Sequence, residues 1–238
     1  MTLPPAIMHP FDHAEASAEA LARHCLDAWQ HHRQQQSRPF HVGLSGGKTP
    51  VPFLQHLVQR LCERSQDLSD LWLWWCDERA VPPDHADSNY GLVQTHLLSP
   101  LQQCLPPEAQ PHTERLRGEV RPLAEEAARY TQALTDIGAL DYVVLGMGDD
   151  GHTASLFPGQ PEAKQACFVS QHPEGDSRLT LSSAFLKQSH QRVLLYNGAQ
   201  KQDTWEAAQH SEDVERYPIL RIQAAGDLHV FFGRSSLE

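Results

Sequence analysis

The 238-residue chain lacks several features that would point to particular functions. Lys plus Arg number 19 against 30 Asp plus Glu, a formal charge of −11, and the cations gather in no basic tract. That balance makes nucleic acid or an anionic membrane a poor partner. The longest dense apolar run, Leu71 to Cys76, falls far short of the ~20 residues a membrane helix needs. The first cation is Arg23, so no basic segment of secretory type opens the sequence, and a cytoplasmic protein is expected. The five cysteines are odd in number and form no CxxC pair, which reads as free thiols in a reducing compartment. There is no HExxH or similar ligand spacing, so no metal or other cofactor is expected, and no G-x-S-x-G elbow supplies a serine nucleophile. Oligomeric state leaves no trace in the sequence.

Hydrophobic residues make up 40% and charged residues 21%, enough for a substantial core without staples. Fifteen histidines are many, and at their ordinary pKa of ~6.5 mild acid would erase much of the negative charge. Solubility should then depend on pH.

Apolar positions Ala14, Ala18, Leu21, Cys25 and Trp29 follow helical spacing, with Asp12 as the expected N-cap and Glu15 three positions on. The polar stretch His31 to Pro39 reads as a surface connection. Phe40–Leu44 predicts a strand, followed by the loop Ser45-Gly46-Gly47-Lys48-Thr49-Pro50 and a helix through Val51, Leu54, Leu57, Val58 and Leu61. Leu71–Cys76 and Tyr142–Leu145 are apolar throughout, as parallel strands buried on both faces are. Further strands are expected at 167–170, 178–181, 193–196 and 229–232, and helices at 88–98, 123–137 and 200–210. Strands alternating with helices imply an α/β fold: one domain over residues 1–238, a mainly parallel twisted sheet covered by helices on both faces. Ligands in such sheets sit at the carboxyl ends of the strands, which selects loops 45–50, 77–91 and 146–159.

The first of these suits a phosphate. Gly46 and Gly47 let backbone N–H groups turn inward, the next helix aims its positive end at the same point, and Ser45, Lys48 and Thr49 add donors. An ATP-binding P-loop would need glycine at position 42, where valine stands; Gly43 leaves the loop one residue short. Gly146, Gly148 and Gly151 satisfy G-x-G-x-x-G after a strand, but Asp149 and Asp150 would face the pyrophosphate. Like charges at ~4 Å near a surface repel by roughly 4 kcal/mol, which argues against a dinucleotide. What that turn does supply is Asp150 two residues before His152, a carboxylate able to fix the tautomer of a proton-transferring imidazole. In the second loop Asp77 suits sugar hydroxyls and Arg79 can grip phosphate in a bidentate way. Trp72, Trp74 and Trp75 read as core and sheet-flank residues.

Together these segments resemble the 6-phosphogluconolactonase family, within the glucosamine-6-phosphate deaminase/ribose-5-phosphate isomerase-like group. The resemblance rests on Leu44–Pro50, on Cys76–Pro83 continuing through Asp87-Ser88-Asn89-Tyr90, and above all on Leu145–Gly159; Arg178–Leu181 and Gly198–Lys201 match more weakly. Lys48 departs from the Ser or Arg often found there, and Asp149 from the common Glu. The resemblance implies a Rossmann-like fold and hydrolysis of 6-phospho-D-glucono-1,5-lactone to 6-phospho-D-gluconate in the oxidative pentose phosphate pathway. It implies His152 and Asp150 as catalytic residues. Ser45, Gly46, Gly47, Lys48, Thr49, Asp77, Arg79, Arg178 and Lys201 would bind a small sugar phosphate lactone. A deaminase or isomerase on a related sugar phosphate is the alternative, although deaminases run from Gly-His into Asn-Glu-Pro where this chain has Thr153-Ala154-Ser155-Leu156-Phe157-Pro158. A non-catalytic sugar-phosphate sensor is the other.

Overall fold

Short apolar runs form the centre of one sheet, and the segments between them build its helical cover. The computed structural model describes residues 3–235. The first half contains β1 (Ile7–His13), α1 (Ala14–Gln35), β2 (Phe40–Leu44), α2 (Val51–Glu63), β3 (Leu71–Trp75) and β4 (Asp77–Arg79). Then come α3 (Asn89–Val93), a π-helical turn (Gln94–Leu98), α4 (Ser99–Cys104), β5 (His112–Glu114) and α5 (Leu123–Ile137). The remainder comprises β6 (Tyr142–Leu145), β7 (Cys167–Gln171), β8 (Ser177–Leu181), α6 (Ser183–Leu186), β9 (Gln191–Asn197), α7 (Ala199–Ser211), α8 (Ile219–Gln223) and β10 (Leu228–Ser235).

Seven strands pair in the order β1-β10-β9-β6-β2-β3-β5, every pairing parallel. β2 lies beside β6, with Val42 opposite Tyr142 and Leu44 opposite Val144. From β2 the chain steps outward to β3 and β5, and from β6 it steps the other way to β9 and β10, so the order reverses between these two central strands. Both are buried along their whole length; β6 is apolar throughout, and β2 buries His41 with its Nδ1 accepting from Trp74 Nε1 at 3.0 Å. Trp74 and Trp75 are core residues and Trp72 stacks on His112.

Several expectations are corrected. The strands at 167–170 and 178–181 do not join the parallel sheet; with β4 they form a separate three-stranded antiparallel sheet, β4-β8-β7. The five residues linking β7 to β8 permit only a hairpin, since a parallel return needs a long crossover. Asp12 does not cap α1, because it belongs to β1, whose pairing with β10 runs on to His13; His13 is the N-cap and makes no side-chain cap bond. Helix α1 continues to Gln35 through residues of good helix propensity, so His32 is buried at its end and not part of a surface connection. The thiols are not all free: Cys62 and Cys104, at the ends of α2 and α4, are joined with Cα atoms 5.7 Å apart. Helix packing over 42 residues of separation makes that pair, which spacing could not reveal. Cys25, Cys76 and Cys167 are buried and free, and burial pushes Cys25 and Cys167 up to about 12. The histidines are not uniform either. His9, His24 and His229 cluster across β1, α1 and β10, burial lowers all three, and His24 falls to about 4. His24 therefore contributes little charge in mild acid.

Asp141, 4% exposed, ties the two central strands at their amino ends. It accepts 2.8 and 2.5 Å bonds from the Arg38 guanidinium and a 2.9 Å bond from the His41 amide. Burial alone would raise this carboxyl; Arg38 and the amide outweigh it and hold it below its ordinary value. A depressed carboxyl stabilises the fold above its unfolded pKa of ~3.9, and loses that contribution as pH falls through the folded value. Asp141→Asn should therefore cost about 1–3 kcal/mol at neutral pH, and the gap to wild type should narrow in acid below pH ~4. Urea unfolding at pH 7 and pH 3 checks this; a pH-independent gap would assign the loss to packing.

Candidate active site

The reversal between β2 and β6 brings their outgoing loops side by side at the carboxyl edge of the sheet, where ligands bind in such folds. Beyond β2, Ser45–Thr49 turns into α2, with Gly47 at φ +86°, a conformation glycine adopts without strain. Helix α2 starts just beyond, its Val51 amide donating back to the Lys48 carbonyl at 3.2 Å. Lys48 is exposed at the loop's tip.

Asp77–Arg79, expected as loop, is strand β4 and pairs antiparallel with β8. Strand alternation puts Asp77 and Arg79 on one side and Glu78 on the other. Glu78, 1% exposed, accepts from the amides of Arg79, Asn89 and Tyr90 at 2.7–2.8 Å and from Ser88 Oγ at 3.1 Å, fixing the start of α3. Burial raises its carboxyl despite those bonds. Asp77 is also buried; its Oδ2 accepts from Ser155 Oγ at 2.8 Å and its Oδ1 from Asn89 Nδ2 at 3.1 Å. Arg79 lies directly opposite Arg178 in the β4–β8 ladder. Like charges so placed repel, and burial together with Arg79 lowers the Arg178 pKa from its ordinary value. An anion between the two would relieve that repulsion.

Beyond β6 the turn Gly146–His152 closes on itself: the Gly148 amide donates to the His152 carbonyl at 2.8 Å, and the Gly151 amide to the Gly148 carbonyl at 3.0 Å. The His152 ring meets Asp150, Nδ1 to Oδ1, at 2.6 Å, and the His152 amide donates to the same oxygen at 3.0 Å. Burial would raise the Asp150 carboxyl, but the bonds from His152 prevail and hold it below its ordinary value. An ionised carboxylate can only accept, so Nδ1 carries the proton and Nε2 is left as the basic nitrogen. Phe157 packs against the imidazole with centroids 4.9 Å apart, and His172 meets the Phe157 ring edge-on at 5.0 Å. Lys201, near the start of α7, donates to the Met147 carbonyl at 2.7 Å, and burial lowers its pKa.

One cavity of about 300 Å³ gathers these groups. Its walls include Ser45, Gly46, Gly47, Lys48, Thr49, Asp77, Arg79, His152, Arg178 and Lys201; Asp150 stands behind His152. Sequence reasoning did not single out Asn89, Ser155, Phe157 and His172, which also line it. Asn89, Ser155 and Phe157 fall within the segments noted above, but only their three-dimensional contacts distinguish them from neighbours. His172 lies in the β7–β8 connection, where no sequence signal marks it.

Residues 12–230 match the family model described as glucosamine-6-phosphate isomerases/6-phosphogluconolactonase. A 6-phosphogluconolactonase of Haemophilus influenzae is 34% identical over 198 residues, covering 80% of this chain and 82% of that protein. One from Pseudomonas aeruginosa is 38% identical over 189 residues, covering 74% of each. The crystal structure of a 6-phosphogluconolactonase from Shewanella baltica superposes with a TM-score of 0.84 at 27% identity, covering all of both chains. A monomeric glucosamine-6-phosphate deaminase shares the fold, with a TM-score of 0.84 at 19% identity and 96% and 97% coverage.

The His152–Asp150 contact depends on the bare Cα of Gly148. A Cβ there would fall 2.2 Å from two atoms of the imidazole and 2.8 Å from Asp150 Oδ1, whereas one on Gly146 would meet nothing within 4 Å. Gly148→Ala should abolish the downfield Nδ1 proton resonance of His152 in NMR, and Gly146→Ala should keep it. Retention of the signal in Gly148→Ala would show that the ring has room to spare.

Proposed function

Because this chain belongs to the glucosamine-6-phosphate isomerase/6-phosphogluconolactonase family, we propose that it hydrolyses 6-phospho-D-glucono-1,5-lactone to 6-phospho-D-gluconate, with His152 as its general base. It is a carboxylic ester hydrolase of the oxidative pentose phosphate pathway, one sugar-phosphate lactonase domain over residues 1–238, working in the cytoplasm. Among the described residues no helix is long and apolar enough to cross a membrane. The observation that carries this reading is that a basic imidazole edge and a phosphate-type loop with its cations line the same cavity.

His152 Nε2 takes a proton from water as the oxygen attacks the lactone carbonyl. The tetrahedral carbon then expels the ring oxygen, to which the imidazolium returns the proton, so one residue serves both half-steps. Asp150 holds the proton on Nδ1 and stabilises the imidazolium between them, without itself being protonated. The phosphate is held by the Ser45–Thr49 amides and hydroxyls, with Arg79, Arg178 and Lys201 closing around it, while Asp77 accepts from a sugar hydroxyl. Binding so far from the scissile bond converts encounter into orientation. Partial dehydration of Arg178 and Lys201 strengthens their attraction for an anion that enters the same cavity.

A pH-stat assay on freshly generated lactone, corrected for spontaneous opening, tests the activity directly. His152→Ala should lower kcat by about 10²–10⁴-fold with an unchanged melting curve, and near-normal turnover would reject the base assignment. Arg178→Ala or Lys201→Ala should chiefly raise KM for the phosphorylated lactone and hardly affect a non-phosphorylated one. Equal losses on both substrates would show that these cations serve some other part of the reaction.

A further inference from the structure

Asn89 is 1% exposed and touches two walls of the cavity at once. Its Nδ2 donates to the Asp77 carbonyl at 2.9 Å and to Asp77 Oδ1 at 3.1 Å. Both of those atoms only accept, so the amide cannot be turned over without setting oxygen against oxygen. Its Oδ1 therefore faces the other way, onto Gly46, where an added Cβ would lie 1.6 Å from it. That oxygen is buried and has no hydrogen-bond partner among the described residues. The main chain of Asn89 is anchored separately, its amide donating to Glu78 Oε1 at 2.8 Å. The side chain is thus not needed to start α3, and its carboxamide occupies the space a side chain at position 46 would fill.

We propose that Asn89 is a positioning residue for lactone hydrolysis, spacing the Asp77 carboxylate from the Gly46 peptide so that sugar-hydroxyl acceptor and phosphate loop match one ligand. Ser155 holds the other oxygen of Asp77, leaving Asn89 as the member of this pair that also bears on the loop. Glycine at 46 is then required by the amide packed on it, and asparagine at 89 by the acceptors of Asp77. Neither need arises from the helix or the turn alone. The inference rests on the lactonase reading for the identity of the ligand.

The test is a double-mutant cycle read as Kd for 6-phosphogluconate by calorimetry, with lactone hydrolysis measured alongside. Asn89→Ala should weaken binding by about tenfold or more, within the range of coupling between contacting residues. Asn89→Asp keeps the volume but replaces the donor by an acceptor facing Asp77, and should lose at least as much. Gly46→Ala should also weaken binding, yet Gly46→Ala with Asn89→Ala should bind no worse than Asn89→Ala alone, because the emptied space takes the methyl group. Wild-type affinity in Asn89→Asp, or losses that simply multiply in the double variant, would overturn the proposal. Should Asn89→Ala melt early, Asn89→Ser completes the same cycle. A wild-type protein that binds phosphogluconate but leaves the lactone unopened would fault the lactonase reading alone. One that opens the lactone while Asn89→Asp binds normally would fault this inference alone.

Discussion

The parallel register of β2 and β6 is the constraint on which the rest of the molecule depends. Two neighbouring parallel strands end at the same edge of a sheet, so the segments leaving them must start side by side. Here one segment is the Ser45–Thr49 loop and the other carries Asp150 and His152. At the opposite edge Asp141 fixes the relative height of the pair through Arg38 and the His41 amide. A slip of one residue would turn every side chain of these fully buried strands to the other face, so register is strongly specified. The cavity inherits its geometry from that register, and the small antiparallel sheet adds Asp77, Arg79 and Arg178 as a third wall.

A chain of formal charge −11 that takes an anion must create its own local field. It does so by expending stability: Arg79 and Arg178 stand opposite each other in one ladder, and Lys201 is largely withdrawn from water with a backbone carbonyl as its recorded partner. These arrangements disfavour the charged forms of Arg178 and Lys201, as their lowered pKa values record, and each becomes less costly when an anion arrives. Asp176 approaches Arg178 at 3.9 Å, but three other nearby carboxylates are engaged elsewhere. Asp77 is held by Asn89 and Ser155, Glu78 is turned away onto the start of α3, and Asp150 is committed to His152. Asp77, Glu78 and Asp150 thus line or back a cavity with several cations while being bonded to other groups.

Central elements were legible in the sequence because one physical signal dominated each of them. Tyr142–Leu145 is a short apolar run between Asp141 and Gly146, Phe40–Leu44 is a mainly apolar run between Pro39 and Ser45, and the strands keep those limits. Helix α5 keeps the limits that its apolar spacing implied. The edges were not legible. β1 carries Ile7, Met8 and Phe11 among two histidines, a proline and an aspartate, and β5 is His-Thr-Glu; both are strands because a neighbour supplies the ladder. Asp77–Arg79 looked like a loop for the same reason, its three charged or acidic residues being held extended by β8. At the site, residue types that carry chemistry by themselves, such as His152, Arg79 and Lys201, could be read directly. Asn89, Phe157 and His172 could not, because their importance comes from what they touch after folding.

The two glycine motifs show why pattern alone misleads and contact does not. Gly146, Gly148 and Gly151 have the spacing of a dinucleotide fingerprint, in which glycines make room for a pyrophosphate. In this fold Gly148 makes room for the imidazole of His152, whose ring atoms would lie 2.2 Å from a Cβ, and Gly151 at φ +82° makes room for Tyr217, 2.5 Å from one. Gly46 likewise yields space to the amide of Asn89 and Gly47 supplies a positive φ, although the run Gly-Lys-Thr mimics the end of an ATP-binding loop. At Gly46, Gly148 and Gly151 the missing side chain is explained by an atom of this protein, and at Gly47 by the positive φ, whereas a Cβ on Gly146 would meet nothing within 4 Å. The same letters therefore arise wherever a backbone must pass close to something, whether that is a phosphate or a neighbouring ring. What separates the cases is the charge beside the glycines: Asp149 and Asp150 would repel a pyrophosphate, but Asp150 suits an imidazole whose Nδ1 proton must stay in place.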